Sequence, residues 1–239
     1  MGLHSFGISD TGRERAENQD RFYRDDRSGL YIVADGMGGM RDGAAASRYV
    51  VEAVLGLWKQ AGNRLNAGAA NGPEFFREIV KRASNDLYAA MQGMAGSTAV
   101  LAWVADRRGI VANLGDSPAY LYRGGGLILL SEEHTVAKLL VEMGKLAPAA
   151  AMAHPARGQL TAFVGMRPEP PVFIKEISLQ AGDRLLLCTD GLTGMIVEAE
   201  IARILKAEPT LETAGRRLVE AANLAGGSDN ITALLIGIE

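Results

Sequence analysis

Apolar runs alternate with polar, glycine-rich segments along the chain, and the period of each run predicts an element. Helical periodicity marks residues 43–59, 73–91, 198–206 and 210–225. Shorter apolar runs between turn residues predict strands at 3–10, 21–25, 30–35, 97–106, 109–115, 119–123, 172–177, 184–189 and 230–238. The pattern therefore predicts a chain rich in short strands with a few amphipathic helices.

The predicted helices come in two pairs that are neighbours in sequence, separated by a block of strands. Residues 134–143 predict one further short helix, residues 145–158 a mobile surface loop, and residues 61–73 a helix-to-helix connection. Such grouping is typical of an α+β protein and not of alternating βαβ units. We therefore predict one domain over residues 1–239, a four-layer α-β-β-α sandwich of two antiparallel sheets flanked by helix pairs.

Aspartates stand at the ends of several predicted strands. Asp35, Asp116 and Asp190 each follow an apolar run, and Asp229 comes just before the last one. In antiparallel sheets the start of one strand lies beside the end of its neighbour, so these side chains are expected to meet at one rim. A cluster of carboxylates must be protonated, paired or bound to cations, and an all-oxygen set favours Mg²⁺ or Mn²⁺. The alternative, that each Asp-Gly pair only marks a turn, explains one such aspartate better than four.

The polar segment DTGRERAENQD near the N-terminus carries groups that would complement a metal and phosphate site. It contains Arg13 and Arg15, and an arginine fork matches the oxygens of a phosphate. Asn18, Gln19 and Asp20 come shortly after Arg15. The alternative is an ordinary solvated charged loop, which composition does not exclude.

Net charge, cysteine content and the length of the apolar runs exclude several classes of function. A net charge of −3 gives no electrostatic reason to expect nucleic-acid or membrane binding. The single cysteine, Cys188, excludes an internal disulfide and a cysteine-based zinc site, and its apolar surroundings predict a buried thiol. The N-terminal segment lacks the pattern of a signal peptide, and no apolar run reaches the roughly 20 residues that cross a bilayer. We expect a cytoplasmic protein.

Seven segments, in order, resemble motifs of the metal-dependent Ser/Thr protein phosphatases, the type 2C or PPM family, in its compact bacterial form. SDTGRERAENQD is similar to the opening motif, VADGMGG to Asp-Gly-x-Gly-Gly, and NLGDSPAYLY to Gly-Asp-Ser-Arg-Ala-Tyr. EEHTVAKLLVEMGKL, HPARGQLTAFVG, LLLCTDGLTG and GGSDNITALLI follow in the expected sequence. Each motif alone is weak, but together they cover the chain. The resemblance implies the α-β-β-α fold and a single catalytic phosphatase domain.

The resemblance also implies a set of metal ligands. Asp35 would bridge two Mn²⁺ or Mg²⁺ ions, and Gly36 would lend its carbonyl. Asp190 and Asp229 would complete the first ion. Asp116 would help Asp190 to hold a third, weaker ion.

Further roles concern the substrate and the attacking water. The resemblance implies that Arg15 binds the substrate phosphate and that Asp20 orients metal-bound water, with Gln19 and Asn230 supporting the site from outside the ligand set. Water activated by two cations would attack phosphorus in line, without a phosphoenzyme. His154, which lies in the predicted loop, is a separate candidate for touching substrate or donating a proton.

The resemblance implies phosphoserine and phosphothreonine proteins as substrates, including a Ser/Thr kinase or the targets of the bacterial kinase that the enzyme would oppose. The protein is expected to be a monomer. The motifs describe how phosphate is attacked, so phosphotyrosine or phosphohistidine proteins remain alternative substrates.

Three positions depart from the family pattern. Gln19 stands where the family often has Glu, which predicts weaker binding of the second metal. Met37 occupies the position of a histidine proposed as general acid in many eukaryotic members, so solvent or another group must protonate the leaving alkoxide. Pro118 replaces an arginine and lacks a backbone donor, so the loop beside the third metal site departs from the family pattern.

Two other classes of protein would explain part of the sequence pattern. A dinucleotide-binding enzyme would explain the glycines of ADGMGGMRDG, but its fingerprint requires a glycine where Arg41 stands. A pseudophosphatase that only binds phosphoproteins would normally have lost metal-binding aspartates, and all of them are present here.

Overall fold

The computed structural model describes residues 2–38, 42–61, 71–169 and 171–239. The strands are β1 (Leu3–Asp10), β2 (Asp20–Asp25), β3 (Leu30–Met37), β4 (Gly96–Ser97), β5 (Ala99–Ala105), β6 (Arg108–Leu114), β7 (Ala119–Arg123), β8 (Gly126–Leu129), β9 (Phe173–Ser178), β10 (Arg184–Cys188) and β11 (Ile231–Ile238). The helices are α1 (Asp42–Ala61), α2 (Gly72–Met91), α3 (Val136–Glu142), α4 (Asp190–Thr193), α5 (Glu198–Ala207) and α6 (Leu211–Leu224), with a 3-10 helix at Pro148–Ala153.

The strands form two antiparallel sheets. Sheet 1 has the order β1-β11-β10-β7-β8, and sheet 2 the order β2-β3-β5-β6-β9, with β4 paired to β3. Helices α1 and α2 pack on sheet 2, while α5 and α6 pack on sheet 1. A third apolar core fills the space between the sheets. The predicted four-layer α-β-β-α sandwich is therefore confirmed.

Burial on both faces explains why the central strands are almost continuously apolar. Along β3, Ile32 and Ala34 face the core under the helices, whereas Tyr31 and Val33 face the core between the sheets. This is the two-residue alternation of a strand. In β11, Leu234 and Leu235 divide between the two cores in the same way. A central strand that is covered on each side needs no polar face.

The structure corrects several sequence-based boundaries. The strand predicted at 97–106 is interrupted at Thr98, whose side chain turns to the backbone of Asp35. Strand β8 and the single-turn helix α4 were not predicted, because each has only four residues and shows no period. The predicted loop at 145–158 contains the 3-10 helix.

Two remaining predictions concern the connection between α1 and α2 and the membrane. Most of the predicted connection at 61–73 lies outside the described residues. No helix in the part of the chain that the structure describes has the length and apolar character needed to span a bilayer.

Candidate active site and metal centre

Strand ends bring the predicted aspartates to one rim of the sandwich. Asp20, the first residue of β2, pairs with Asp35 near the end of β3. Asp190 follows β10 after one intervening residue, and Asp229 precedes β11 by one residue, Asn230; β10 and β11 are neighbours in sheet 1. The expectation that antiparallel neighbours would gather these side chains is confirmed by the structure.

An open basin of about 1080 Å³ lies at this rim. We call it the aspartate basin. Its lining includes Asp35, Asp116, Asp190, Asp229, Gly36, Met37, Thr98, Arg15, Gln19 and Asn230, together with the acidic Glu14 and Glu17 and the apolar Leu160 and Phe163. Nine of the ten residues assigned to the site from sequence are therefore close to one cavity, if Asp20 beneath it is counted.

Asp20 is the most deeply placed of the carboxylates, at 1% exposure. Its Oδ2 accepts hydrogen bonds from the hydroxyls of Thr189 (2.8 Å) and Thr232 (2.6 Å). Its Oδ1 is buried and has no hydrogen-bond partner among the described residues. Burial raises the pKa of Asp20 to about 7; the two threonine hydrogen bonds oppose this rise, and the charges of Asp190 and Asp229 add to it.

Asp35 is held by its backbone, which leaves its carboxylate at the basin. Its N–H donates to Thr98 Oγ1 (3.0 Å), and its carbonyl accepts from Ser97 Oγ (2.9 Å) and the N–H of Thr98 (2.8 Å). Desolvation raises the pKa of Asp35 well above its usual range, and the charges of Asp20 and Asp190 reinforce that rise. The fold therefore fixes an acid where its charged form is disfavoured.

Asp190 and Asp116 are likewise held where burial disfavours their charged forms. Desolvation raises the pKa of Asp190, with a further contribution from Asp229, although a hydrogen bond with Asp35 opposes the rise. Desolvation also raises the pKa of Asp116 well above its usual value, and the charge of Asp190 adds to it. The Oδ1 atom of Asp190 is buried without a hydrogen-bond partner in the described part of the chain.

These residues fit divalent cations. Mutually repelling carboxylates with buried, unpartnered oxygens lack the positive charge that would stabilise them. Gly36 adds a backbone group at the basin, where a Cβ would lie 1.9 Å from the carbonyl oxygen of Gly43. Within the described ranges, no three Asp, Glu, His or Cys side chains are grouped so that they could hold an ion by themselves. A bound ion would therefore need water molecules among its ligands as well, as Mg²⁺ sites typically retain.

Arg15 lies at the edge of the aspartate basin. Its Nη2 is 2.8 Å from Asp229 Oδ2, and both side chains are partly exposed. The guanidinium is therefore next to the predicted metal ligands and accessible to an incoming anion, as its predicted role requires.

Asn230 ties the segment that carries Arg15 to the start of β11. Its Oδ1 accepts from the N–H of Gln19 (2.8 Å), and its Nδ2 donates to the carbonyls of Thr11 (2.8 Å) and Glu17 (3.0 Å). These bonds span both ends of the loop. Asn230 therefore supports the site by fixing the path of this loop.

The structure does not bring His154 to the basin. It follows the 3-10 helix, and its Nδ1 accepts from the N–H of Ala156 (3.1 Å). The same loop contributes Arg157, which sequence reasoning missed and whose charge lowers the pKa of Asp190. The sequence did contain a signal for Arg157, because a second basic residue in a loop beside an acidic site is a candidate anion contact.

Met37 and Pro118, two departures from the family pattern, have different settings. Met37 lines the basin. Pro118 uses its carbonyl to accept from the N–H of Cys188 (3.1 Å), a bond that needs no proline donor. The adjacent Ser117 is buried, and its Oγ lies 2.7 Å from Thr98 Oγ1. Proline at position 118 therefore leaves the hydrogen bond between Ser117 and Thr98 intact.

Known proteins share both the sequence and the fold. The family model described as protein phosphatase 2C matches residues 11–235. The serine/threonine phosphatase stp of Listeria innocua is 35% identical over 243 residues, which cover 98% of this chain and 95% of that relative. The crystal structure of the Mycobacterium tuberculosis serine/threonine phosphatase PstP/Ppp matches with a TM-score of 0.89 at 30% identity and covers 100% of both chains.

A further structure bears on the metal. The catalytic domain of the serine/threonine protein phosphatase PstP in complex with 2 manganese ions matches with a TM-score of 0.84 at 28% identity, covering 99% of this chain and 98% of that one. The chain belongs to the protein phosphatase 2C family. It is a phosphoprotein phosphatase whose catalysis depends on metal ions.

Proposed function

We propose that this protein is a Mn²⁺- or Mg²⁺-dependent protein serine/threonine phosphatase that uses two metal ions. The observation that carries the proposal is the cluster of carboxylates, two of them with buried unpartnered oxygens, beside an accessible arginine. The relative from L. innocua, a serine/threonine phosphatase, and the PstP structure with 2 manganese ions support both the substrate class and the metals.

Each aspartate has a proposed part in holding the ions. Asp35, Asp190 and Asp229, with the carbonyl oxygen of Gly36, would hold the two ions. Asp116 and Asp190 would hold a third, weaker one. Bound cations would supply a water of lowered pKa and stabilise negative charge on the phosphoryl oxygens.

The remaining steps belong to this chain's own side chains. Arg15 binds the non-bridging oxygens of the phosphate. Its salt bridge with Asp229 keeps the guanidinium at the edge of the basin. Asp20 orients the attacking water through Oδ1, the atom that has no partner in the described structure. Met37 has no proton to give, so solvent protonates the leaving alkoxide at the open basin.

A covalent phosphocysteine route has little support. Cys188 is fully buried, and burial raises the pKa of its thiol, with the charges of Asp190 and Asp20 adding to the rise. A thiol without access or thiolate character is a poor nucleophile. We therefore propose direct in-line attack by water, without a phosphoenzyme.

We place the enzyme in the cytoplasm as a monomer that opposes a Ser/Thr kinase, acting on the kinase or on its targets. Phosphoproteomics of a deletion strain beside a strain that carries Asp190→Ala would test this role. Sites whose phosphorylation rises in both strains name the substrates. A deletion strain with no such change in Ser or Thr phosphorylation would contradict the proposal.

The activity itself is tested with purified protein and three matched phosphopeptides that differ only in carrying phosphoserine, phosphothreonine or phosphotyrosine. Hydrolysis of the first two is expected with Mn²⁺ or Mg²⁺ and is expected to stop with EDTA. Asp190→Ala serves as the control for contaminating phosphatase. Faster hydrolysis of the phosphotyrosine peptide would reject the proposed substrate class, and folded protein without metal-dependent turnover would favour a binding protein.

A further inference from the structure

Two threonines from sheet 1 reach across the rim to one oxygen of a carboxylate in sheet 2. Thr232 lies in β11, and Thr189 directly follows β10. Both hydroxyls are within hydrogen-bond distance of Asp20 Oδ2, at 2.6 and 2.8 Å. All three residues are almost completely buried. These two hydrogen bonds therefore join the Asp20 carboxylate to the segments of sheet 1 that lie next to Asp190 and Asp229.

The direction of the hydrogen bonds follows from counting protons, because each hydroxyl has one to donate. Thr232 donates to Asp20, so its 2.8 Å contact with Ser9 requires the Ser9 hydroxyl to be the donor. Ser9 Oγ in turn accepts from Asn18 Nδ2 at 2.8 Å. Thr189 donates to Asp20 and accepts from the N–H of Thr232 at 3.0 Å. Thr189 Oγ1 also lies 3.4 Å from the carbonyl oxygen of Asn230, but its contact with Asp20 is much shorter, so the short hydroxyl hydrogen bonds of the network run towards Asp20 Oδ2.

We propose that Thr189 and Thr232 are positioning residues for catalysis, which hold Asp20 by Oδ2 so that Oδ1 is the atom available to a bound water. This rests on the role of Asp20 in the proposed function. With Oδ2 occupied by two hydroxyl donors, the carboxylate cannot rotate without breaking both bonds. The unpartnered Oδ1 is therefore kept in one orientation beside Asp190 and Asp35.

Partners that orient the groups around a metal typically change metal affinity or activity by roughly 10–100-fold when they are removed. A purely structural pair of hydroxyls would lower stability without changing turnover per folded molecule. The two explanations therefore differ in kcat and in metal affinity.

Thr232→Val removes the hydroxyl and keeps the shape, and Thr232→Ser, the matched control, keeps the hydroxyl. We would measure kcat and KM with a phosphothreonine peptide at saturating Mn²⁺, Mn²⁺ affinity by calorimetry without substrate, and the melting temperature. The valine variant is expected to lose about 10-fold or more in kcat with little change in KM, and to bind its weaker Mn²⁺ less tightly. The serine variant is expected to recover both quantities.

Coupling to Asp20 is tested by adding Thr232→Val to Asp20→Asn, in which the oriented carboxylate is already lost. The second substitution is expected to lower kcat little further, because residues that act through one another are not additive. Additive losses would overturn the inference, as would a valine variant with wild-type kcat and Mn²⁺ affinity, or equal losses for valine and serine. Wild-type protein that binds Mn²⁺ but hydrolyses no phosphopeptide would reject the proposed function, and the Mn²⁺ affinities would then decide this inference alone.

Discussion

Replacing Asn230 by alanine should loosen the loop that carries Arg15. The Asn230 side chain is 4% exposed and makes three hydrogen bonds, one from the N–H of Gln19 and two to the carbonyls of Thr11 and Glu17. Alanine removes all three at once. The loop is then held by fewer contacts at both of its ends.

The magnitude follows from those bonds. A neutral hydrogen bond contributes about 1 kcal/mol net, so three give an upper value of about 3 kcal/mol. Thr11 and Glu17 lie at partly exposed positions where water can replace the lost donor, which lowers the expected loss to about 2 kcal/mol. For a chain of this size each kcal/mol shifts the melting temperature by roughly 2–4 °C, so a fall of about 4–8 °C is expected.

Urea unfolding in EDTA measures the loss of stability without a contribution from metal binding. Steady-state kinetics with a phosphopeptide then shows whether KM rises as Arg15 becomes less well placed. Asn230→Asp is the matched control. It keeps an acceptor for Gln19 and turns both donors into acceptors that face carbonyl oxygens, so it should be no more stable than the alanine variant.

The reasoning is wrong if Asn230→Ala unfolds within about 0.5 kcal/mol of the wild type, the range of ordinary surface substitutions. A wild-type KM in a clearly destabilised variant would separate the two claims. Asn230 would then stabilise the fold without positioning Arg15.

Further predictions concern the metal and phosphate groups. Asp35→Asn and Asp229→Asn should each lower kcat by orders of magnitude in Mn²⁺ assays, since each removes charge from the proposed ligands; near wild-type turnover in either would reject the metal-site assignment. Arg15→Ala should mainly raise KM for phosphopeptides, with Arg15→Lys intermediate because lysine lacks the fork; unchanged KM would remove Arg15 from phosphate binding. Gln19→Glu should tighten the second Mn²⁺ in calorimetry, and an unchanged affinity would contradict the reason given for the departure at this position. In EDTA, the raised pKa of Asp20, from 3.8 to about 7, contributes stability below pH 3.8 that is lost as the pH rises through about 7, so the melting temperature of Asp20→Asn should depend less on pH over that window.

The arrangement of layers could be predicted because nearly every strand had a clear apolar run. The central strands β3 and β11 are buried on both faces, and their uninterrupted apolar character distinguished them from half-exposed strands. Strand β8 was missed for the opposite reason. Its four residues are half-buried or exposed at a sheet edge, and their place in the sheet depends on pairing with β7.

The residues of the aspartate basin could be predicted from strand ends, but their environment could not. Asp20 and Asp35 are both aspartates at the ends of β2 and β3, yet Asp20 lies beneath the basin and Asp35 at its surface. The depth of each side chain depends on how sheet 1 packs against sheet 2, which no local pattern encodes. Thr189 and Thr232 were missed for the same reason, since a threonine in a strand has the composition of an ordinary β residue.

The same contacts explain how the fold tolerates its own site. In the metal-free protein, desolvation and the neighbouring charges both disfavour the ionised forms of these carboxylates, and side chains that were free to move would separate or turn to solvent. They are instead attached to backbone and hydroxyl groups, as at Asp35 through Ser97 and Thr98 and at Asp20 through Thr232. The folded state therefore retains an environment that disfavours negative charge, and a cation that binds the cluster would relieve it. Part of the metal affinity accordingly originates in the two sheets, whose packed cores keep like charges together before any ion arrives.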